Sequence, residues 1–233
     1  MEETKTAAAP VKTERRQSKK RAERTAELRR HILDVSVELF IEQGYEKTTT
    51  RQIIHKAGIL NGSLYNIFKN KEEIFSEAIV EAFWGAIDAS EKFLPDATIL
   101  EKIGFPMLLP VYVSSKSVRM AELLAVAGKK WETMDKIVDL MMKWIEDKDG
   151  TQFIPAKVNN FRFLMYACMG AQSNIIELYA RNPGAVDPKE AMKAVAVVIL
   201  NVFQIPHHDI DNNIERIYNA FDSNDLVICG VHI

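Results

Sequence analysis

The sequence predicts an all-α protein in which an N-terminal three-helix domain is joined by a long helix to a larger helical domain. Apolar residues recur at three- and four-residue steps over most of the chain, whereas the period-two alternation of strands is nearly absent. Capping residues, prolines and glycines bound these periodic segments. A chain of 233 residues with 47% hydrophobic and 27% charged residues is typical of a folded globular protein.

The first two helices are predicted from periodicity and from their ends. Apolar positions repeat from Glu27 as far as Gly44, a residue suited to end a helix. Thr49 and Gln52 form the pattern of a capping box, in which each side chain binds a backbone N–H near the start of a helix. This box predicts a short second helix that stops at Gly58.

A tight glycine-containing turn separates the second helix from a third, predicted over 63–68. The segment from Asn70 to Glu73 is a second capping box, and it predicts a long fourth helix from Lys71 to about Phe93. The short second and third helices with their turn have the proportions of a helix-turn-helix.

Six further helices are predicted in the rest of the chain. They are a run from Thr98 that Pro106 and Pro110 interrupt, then 116–128, 130–147, 156–181 and 187–205, and a last helix capped at Asn212. The helix after Asp187 has the strongest start signal, because Pro188 follows the capping residue directly. The apolar end, 226–233, predicts either a strand or a packed tail.

Composition excludes several classes of protein. No apolar run approaches the roughly 20 residues that cross a bilayer, and no apolar segment follows the charged N-terminus as in a secretory signal. Cys168 and Cys229 lie far apart, which argues against a disulfide framework and favours the cytoplasm. We expect no cofactor, no metal and no enzymatic activity, and we interpret 207–211 (HHDID) as a solvated loop rather than a metal site.

The charges are unevenly distributed along the chain. Residues 12–30 contain nine basic and three acidic residues, although the whole chain has a formal net charge of -2. Such a segment is compatible with a polyanionic partner and could reach the minor groove of DNA. It is equally typical of a solvated tail. We therefore expect residues 1–26 to form a basic flexible arm.

Five short motifs lie between Arg29 and Ala82: 40–45 (FIEQGY), 49–53 (TTRQI), 57–59 (AGI), 62–68 (GSLYNIF) and 70–74 (NKEEI). In order and spacing they resemble the N-terminal domain of TetR-family transcriptional regulators. The resemblance implies a homodimer that places two recognition helices in successive major grooves of a pseudo-palindromic operator. It also implies a repressor that a ligand releases from double-stranded DNA.

Carried over to this sequence, the family's DNA contacts fall into two groups. The phosphate contacts would come from Thr49, Thr50, Tyr65 and Lys71. The base contacts would come from Arg51, Asn61, Gly62, Ser63 and Asn66. Arginine favours guanine and asparagine favours adenine, while glycine lets the backbone approach the DNA closely.

Two positions depart from the family pattern. Leu60 stands where a small polar residue is usual, and Ile67 stands where histidine or an aromatic is usual. These departures favour an alternative function, a helical small-molecule-binding or adaptor protein of the same fold that no longer binds specific DNA. The joint presence of four surface residues favours the regulator, because such residues have no packing reason to follow the pattern. They are Thr50, Arg51, Tyr65 and Lys71.

The resemblance divides the chain into a DNA-binding domain (27–82), an effector-binding and dimerisation domain (83–221) and a tail of unknown role (222–233). We expect an apolar or aromatic effector in a pocket of adaptable side chains, although such residues are also typical of a core. The expected pocket residues are Trp84, Phe105, Met107, Tyr112, Trp131, Met134, Met141, Trp144, Phe161 and Met165. The dimer is expected to form through the two long helices 156–181 and 187–205, with Ile175, Ile176, Tyr179, Val195, Val198, Ile199 and Val202.

Overall fold

The computed structural model describes residues 10–147, 160–206, 209–228 and 231–232. In these ranges the chain is all-α, apart from one small antiparallel hairpin near the C-terminus. The helices are α1 (Pro10–Gln43), α2 (Thr50–Ala57), α3 (Asn61–Tyr65), α4 (Lys71–Phe93), α5 (Ile99–Lys116), α6 (Val118–Gly128), α7 (Trp131–Asp147), α8 (Phe161–Arg181), α9 (Pro188–Val202) and α10 (Ile210–Ser223), and the strands are β1 (Val227–Ile228) and β2 (Val231–His232).

Helices α1 to α4 build the predicted N-terminal domain with its helix-turn-helix. Thr49 and Gln52 form the complete capping box at the start of α2, and Gly58 ends that helix in the left-handed conformation with φ 64°. The core of the N-terminal domain contains a cluster of three aromatic rings, Phe40, Tyr45 and Phe75, whose centroids lie 4.6 to 5.6 Å apart. These tightly packed rings fix α1 against the first half of α4.

Helix α1 is longer than the sequence predicts. It begins at Pro10 and not at Glu27, so the described part of the basic segment is an extension of a helix rather than a flexible arm. Residues 16–27 of this extension are exposed, and the helix enters the core only from about Leu28 onward. The sequence shows no periodic apolar signal over 16–27 because this part of the helix has no buried face.

Helices α5 to α10 surround a second, larger core that also takes in the second half of α4. Helix α5 runs through its centre and contains both Pro106 and Pro110, so the prolines lie inside one helix and do not divide it. In the hairpin, β1 lies against α4 and β2 against α1. Among the described residues, no helix is long and apolar enough to cross a membrane.

Helix α6 belongs to both halves of the molecule. Its Ala121 lies in the larger core, whereas its Leu123 and Ala127 are buried with the aromatic cluster of the helix-turn-helix domain. The core of the N-terminal domain is therefore closed by a helix from outside that domain. The boundary expected near residue 82 divides the sequence but does not divide the packing.

The sequence placed some helix ends correctly and others not. Asp187 caps α9 with Pro188 in its first turn, as predicted, and its carboxylate accepts hydrogen bonds from two backbone N–H groups. Asn212 is not a cap, because α10 begins at Ile210. The third helix is Asn61–Tyr65 rather than 63–68. Residues 207–208 of the histidine-rich loop and Cys229 lie outside the described residues.

Candidate nucleic-acid interface

The start of α2 presents a fully formed cap. The Thr49 side chain accepts a hydrogen bond from the Gln52 backbone N–H, and Gln52 Oε1 accepts one from the Thr49 backbone N–H at 2.8 Å. Next to this cap, the hydroxyl groups of Thr50 and Tyr65 lie 3.4 Å apart. Two of the predicted phosphate contacts thus come from different helices and meet at one place on the surface.

Helix α3 is held by one buried side chain and leaves most of the others free. Leu64 is fully buried in the core, while Asn61, Gly62 and Asn66 are exposed and Ser63 is half-buried. Tyr65 is 54% exposed, so its ring is not a core residue. With exposed Arg51 on α2, the structure brings the predicted base-contacting residues to the surface on the second and third helices.

Leu60 precedes α3 at the N-cap position. Its backbone has the extended conformation of a cap, but its side chain makes no capping hydrogen bond and is 79% exposed. Ile67, the other departure from the family pattern, is half-buried and packs on the domain core. The two departures therefore differ, because Ile67 has a packing role and Leu60 has none.

Lys71 lies at the start of α4 and is already bonded within the protein. Its ammonium group donates a hydrogen bond to the backbone carbonyl of Tyr45 at 2.8 Å and lies 4.1 Å from the centre of the Tyr45 ring. An ammonium group has three hydrogens, so contact with a phosphate oxygen remains open to it. These bonds hold a cation at a helix start, where the helix dipole alone disfavours it.

A second lysine, which the sequence analysis did not select, approaches the same ring. Lys130, between α6 and α7, lies 4.8 Å from the Tyr45 ring centre and forms a 3.0 Å ion pair with Glu72. Burial raises the pKa of Tyr45, although Lys130 opposes this shift. Lys130 is far from the motif in sequence, so no local pattern could have indicated it.

An apolar cavity lies between the helices, and most of the residues that line it differ from those that the sequence predicts. Of the predicted pocket residues, only Met134 lines this cavity. Trp84 and Trp131 are exposed, the latter stacked on Tyr166, and Phe161 packs on Phe203. The others are buried in the larger core: Phe105, Met107, Tyr112, Met141, Trp144 and Met165. Helical spacing identified buried positions but could not show which of them border empty space.

The predicted dimer residues also face mostly inward. Ile176, Tyr179, Val195 and Ile199 are buried in the protomer, and Ile176 lines the cavity. Ile175 and Val202 are half-buried against the core, and Val198 is half-buried. A residue buried in its own protomer cannot reach a second copy, so the strongest apolar stripe of each helix is its core face.

Cys168 and the potential metal ligands are the remaining chemistry-bearing groups among the described residues. Burial raises the pKa of the Cys168 thiol to about 11, so the thiol stays protonated at neutral pH. Within the described ranges, no three His, Cys, Asp or Glu side chains are grouped as metal ligands.

Comparison with known proteins agrees with this geometry. The family model "Bacterial regulatory proteins, tetR family" matches residues 32–78, the segment that contains α2, α3 and the start of α4. Residues 32–78 of the chain are thus similar to the DNA-binding domain of the TetR family. The HTH-type transcriptional regulator AcrR of Shigella flexneri is 40% identical over 60 residues, which are 26% of this chain and 28% of AcrR.

Beyond the TetR-family domain, similarity is weaker. The fatty acid metabolism regulator protein of Bacillus subtilis (strain 168) is 25% identical over 122 residues, 51% of this chain and 63% of that protein. These matches span less than two thirds of either relative. The TetR regulator TylP of Streptomyces fradiae shares the fold, with a TM-score of 0.57, 18% identity and coverage of 86% of this chain and 98% of that one.

The uncapped start of α3 gives a stability prediction. We expect Leu60→Ser to raise the free energy of unfolding by about 1 kcal/mol, because a serine hydroxyl at an N-cap accepts a hydrogen bond from a free backbone N–H. Urea unfolding of this variant, wild type and Leu60→Ala measures the effect. The alanine variant is the control, since it shortens the side chain without adding a cap. Equal stability of the serine and alanine variants would contradict the prediction.

Proposed function

We propose that the protein is a DNA-binding transcriptional repressor that acts as a homodimer on a pseudo-palindromic operator and is released by a small ligand. The observation that carries the proposal is the surface formed by α2 and α3. There the hydroxyls of Thr50 and Tyr65 converge beside an exposed polar helix that a single buried leucine anchors. A polar face of this kind has no packing role and suits a duplex.

The residues of this face divide into two roles in the proposal. Thr49, Thr50, Tyr65 and Lys71 bind phosphate oxygens and fix the position of α3 in the major groove. Arg51, Asn61, Gly62, Ser63 and Asn66 meet the base edges and select the sequence. The exposed basic residues of the α1 extension add non-specific attraction to DNA, and a chromosomal operator places the protein in the cytoplasm.

We assign dimerisation to the outward stripes of α8 and α9, which are the exposed faces of these helices. The buried faces that the sequence analysis selected pack within the protomer. On α8 the exposed positions follow helical spacing: Phe163, Ala167, Gly170, Asn174 and Leu178. Phe163 is 69% exposed. Helix α9 packs against α8 and exposes Ala194 and Asn201. Small residues between larger apolar ones let two helices approach closely, as a two-fold four-helix interface requires.

Ligand control is assigned to the apolar cavity, because its wall includes both domains. Val37 and Phe40 of the N-terminal domain line it together with Leu123 of α6. The same Leu123 closes the helix-turn-helix core. A ligand that fits this cavity in only one arrangement of the domains would shift the protein toward that arrangement.

The phosphate contacts give a salt-dependent prediction. The experiment uses a duplex selected from random DNA. The logarithm of the affinity falls as the logarithm of the salt concentration rises, and we expect Lys71→Ala to make this slope less steep by about 2, because each protomer of the dimer loses one charged contact. Tyr65→Phe should weaken binding with an unchanged slope, because the lost hydroxyl is neutral. Fluorescence anisotropy across a salt series measures both effects.

Lys92→Ala is the matched control for this experiment, because Lys92 is an exposed lysine at the opposite end of α4. It should bind as wild type does. If the selection yields no preferred sequence and all variants bind alike, the protein is instead a ligand-binding or adaptor protein that has lost specific DNA binding.

The dimer assignment gives a second prediction. A Cβ built at Gly170 meets nothing within 4 Å, so Gly170→Arg should fold and yet yield a monomer. Gly85→Arg on α4 is the control, since a Cβ there is equally unobstructed and the dimer should persist. Light scattering after size exclusion measures both masses. A dimeric Gly170→Arg protein would place the interface elsewhere.

A further inference from the structure

The apolar cavity between the two domains has a defined size and wall. Its volume is about 120 Å³, and its wall comes from α1, α4, α5, α6, α7 and α8. An apolar cavity of about 150 Å³ is known to hold a molecule the size of benzene. The cavity therefore fits a ligand of about one six-membered ring, and not a long chain.

The wall carries no charge. None of its described residues is Asp, Glu, Lys, Arg or His, and all but two of them, Gln172 and Ser173, are apolar or glycine. Moving a carboxylate or an ammonium ion into such a site would leave it without a partner, at a cost of several kcal/mol. The wall thus selects against ionised ligands, including the carboxylate of a free fatty acid.

Gln172 is the polar group that a ligand would meet. Its side chain is buried, with only 7% exposed, and its Nε2 donates a hydrogen bond to the backbone carbonyl of Met107. The bond to Met107 uses only the nitrogen of the amide, and the side chain also lines the cavity. Because an amide oxygen has two lone pairs, Gln172 Oε1 can accept a hydrogen bond from a ligand while Nε2 holds the amide in place. The adjacent Ser173 hydroxyl also lines the cavity.

The apolar part of the wall suits an aromatic ring. Met120, Met134 and Met169 line the cavity together with Phe40 and Phe83. Thioether sulfurs make favourable contacts with ring edges, and unbranched methionine side chains adapt to the ligand's shape.

We propose that the cavity is the binding site of a neutral phenol, an uncharged single aromatic ring whose one hydroxyl donates to Gln172 Oε1. The proposal names the ligand class of the effector site and rests on the proposed function for its regulatory meaning. The ring fills the space between the methionines, and the hydroxyl donates to the amide oxygen of the buried glutamine in the cavity wall.

Three probes of equal ring size test the ligand class: p-cresol, toluene and p-toluate. Calorimetry uses the full chain at neutral pH without DNA. We expect p-cresol to bind about tenfold more tightly than toluene, because toluene leaves the acceptor unpaired. We expect no binding of p-toluate. The proposal would be overturned if p-toluate bound as tightly as p-cresol or more tightly, if toluene bound as tightly as p-cresol, or if no probe bound.

Gln172→Leu tests the acceptor directly. The tenfold preference for p-cresol over toluene should disappear while toluene binding persists, and toluene also reports that the cavity remains intact. A preference that survives the substitution would overturn the role of Gln172.

Ala82→Leu provides an independent test that leaves Gln172 untouched. Ala82 lines the cavity, so the larger side chain should abolish binding of both p-cresol and toluene. Ala89→Leu, on the same helix but outside the cavity wall, should bind both as wild type does. Full p-cresol affinity in Ala82→Leu would place the site elsewhere.

These outcomes are distinct from failure of the proposed function. If p-cresol binds but does not change the affinity for DNA, the cavity is a ligand site that does not control DNA binding. If the protein binds specific DNA but none of the probes, the proposed repressor function stands and the proposed neutral phenol ligand is wrong.

Discussion

Burial of α6 against the aromatic cluster of Phe40, Tyr45 and Phe75 is the contact on which the rest of the structure depends. A domain of about 55 residues buries only about 60% of the surface of its unfolded chain and is only marginally stable alone. Leu123 and Ala127 add apolar surface to this core from another part of the chain. Lys130, which follows α6, contacts the Tyr45 ring and pairs with Glu72 beside Lys71. The helix-turn-helix domain is therefore tied to the larger domain by both packing and charge.

The same contact explains why the apolar cavity is a suitable place for control. The cavity lies where α1, α4 and α6 meet, so an occupant contacts the helix-turn-helix domain directly. Helix α4 begins at Lys71 and lines the cavity from Phe75 onward, so one helix links the proposed phosphate contact to the proposed ligand site. Coupling between the sites requires that the ligand prefer one domain arrangement over the other, and its magnitude equals that preference.

The sequence predicted those parts of the fold and site that depend on neighbouring residues. The caps at Thr49 and Asp187 and the stop at Gly58 were confirmed, because each is a local pattern of hydrogen bonds. The exposed polar surface of α2 and α3 was predicted from motifs that lie close together in the sequence. The cavity wall could not be predicted, since six helices distant in sequence contribute to it. The outward stripes of α8 and α9, which are proposed to form the dimer, were not predicted because hydrophobic periodicity identifies the core face, and an exposed stripe of small residues gives a weaker signal.

Native-state hydrogen exchange in Leu123→Ala tests the central claim that α6 completes the helix-turn-helix core. Leu123 lies outside the motif but is buried in its core. We expect the free energy of opening at buried amides of α2 and of the first half of α4 to fall by about 2–5 kcal/mol, the usual cost of removing a buried leucine side chain. Unchanged protection in α2 and α4, with loss of protection confined to α6, would show that the N-terminal domain is stable without this helix and would contradict the account.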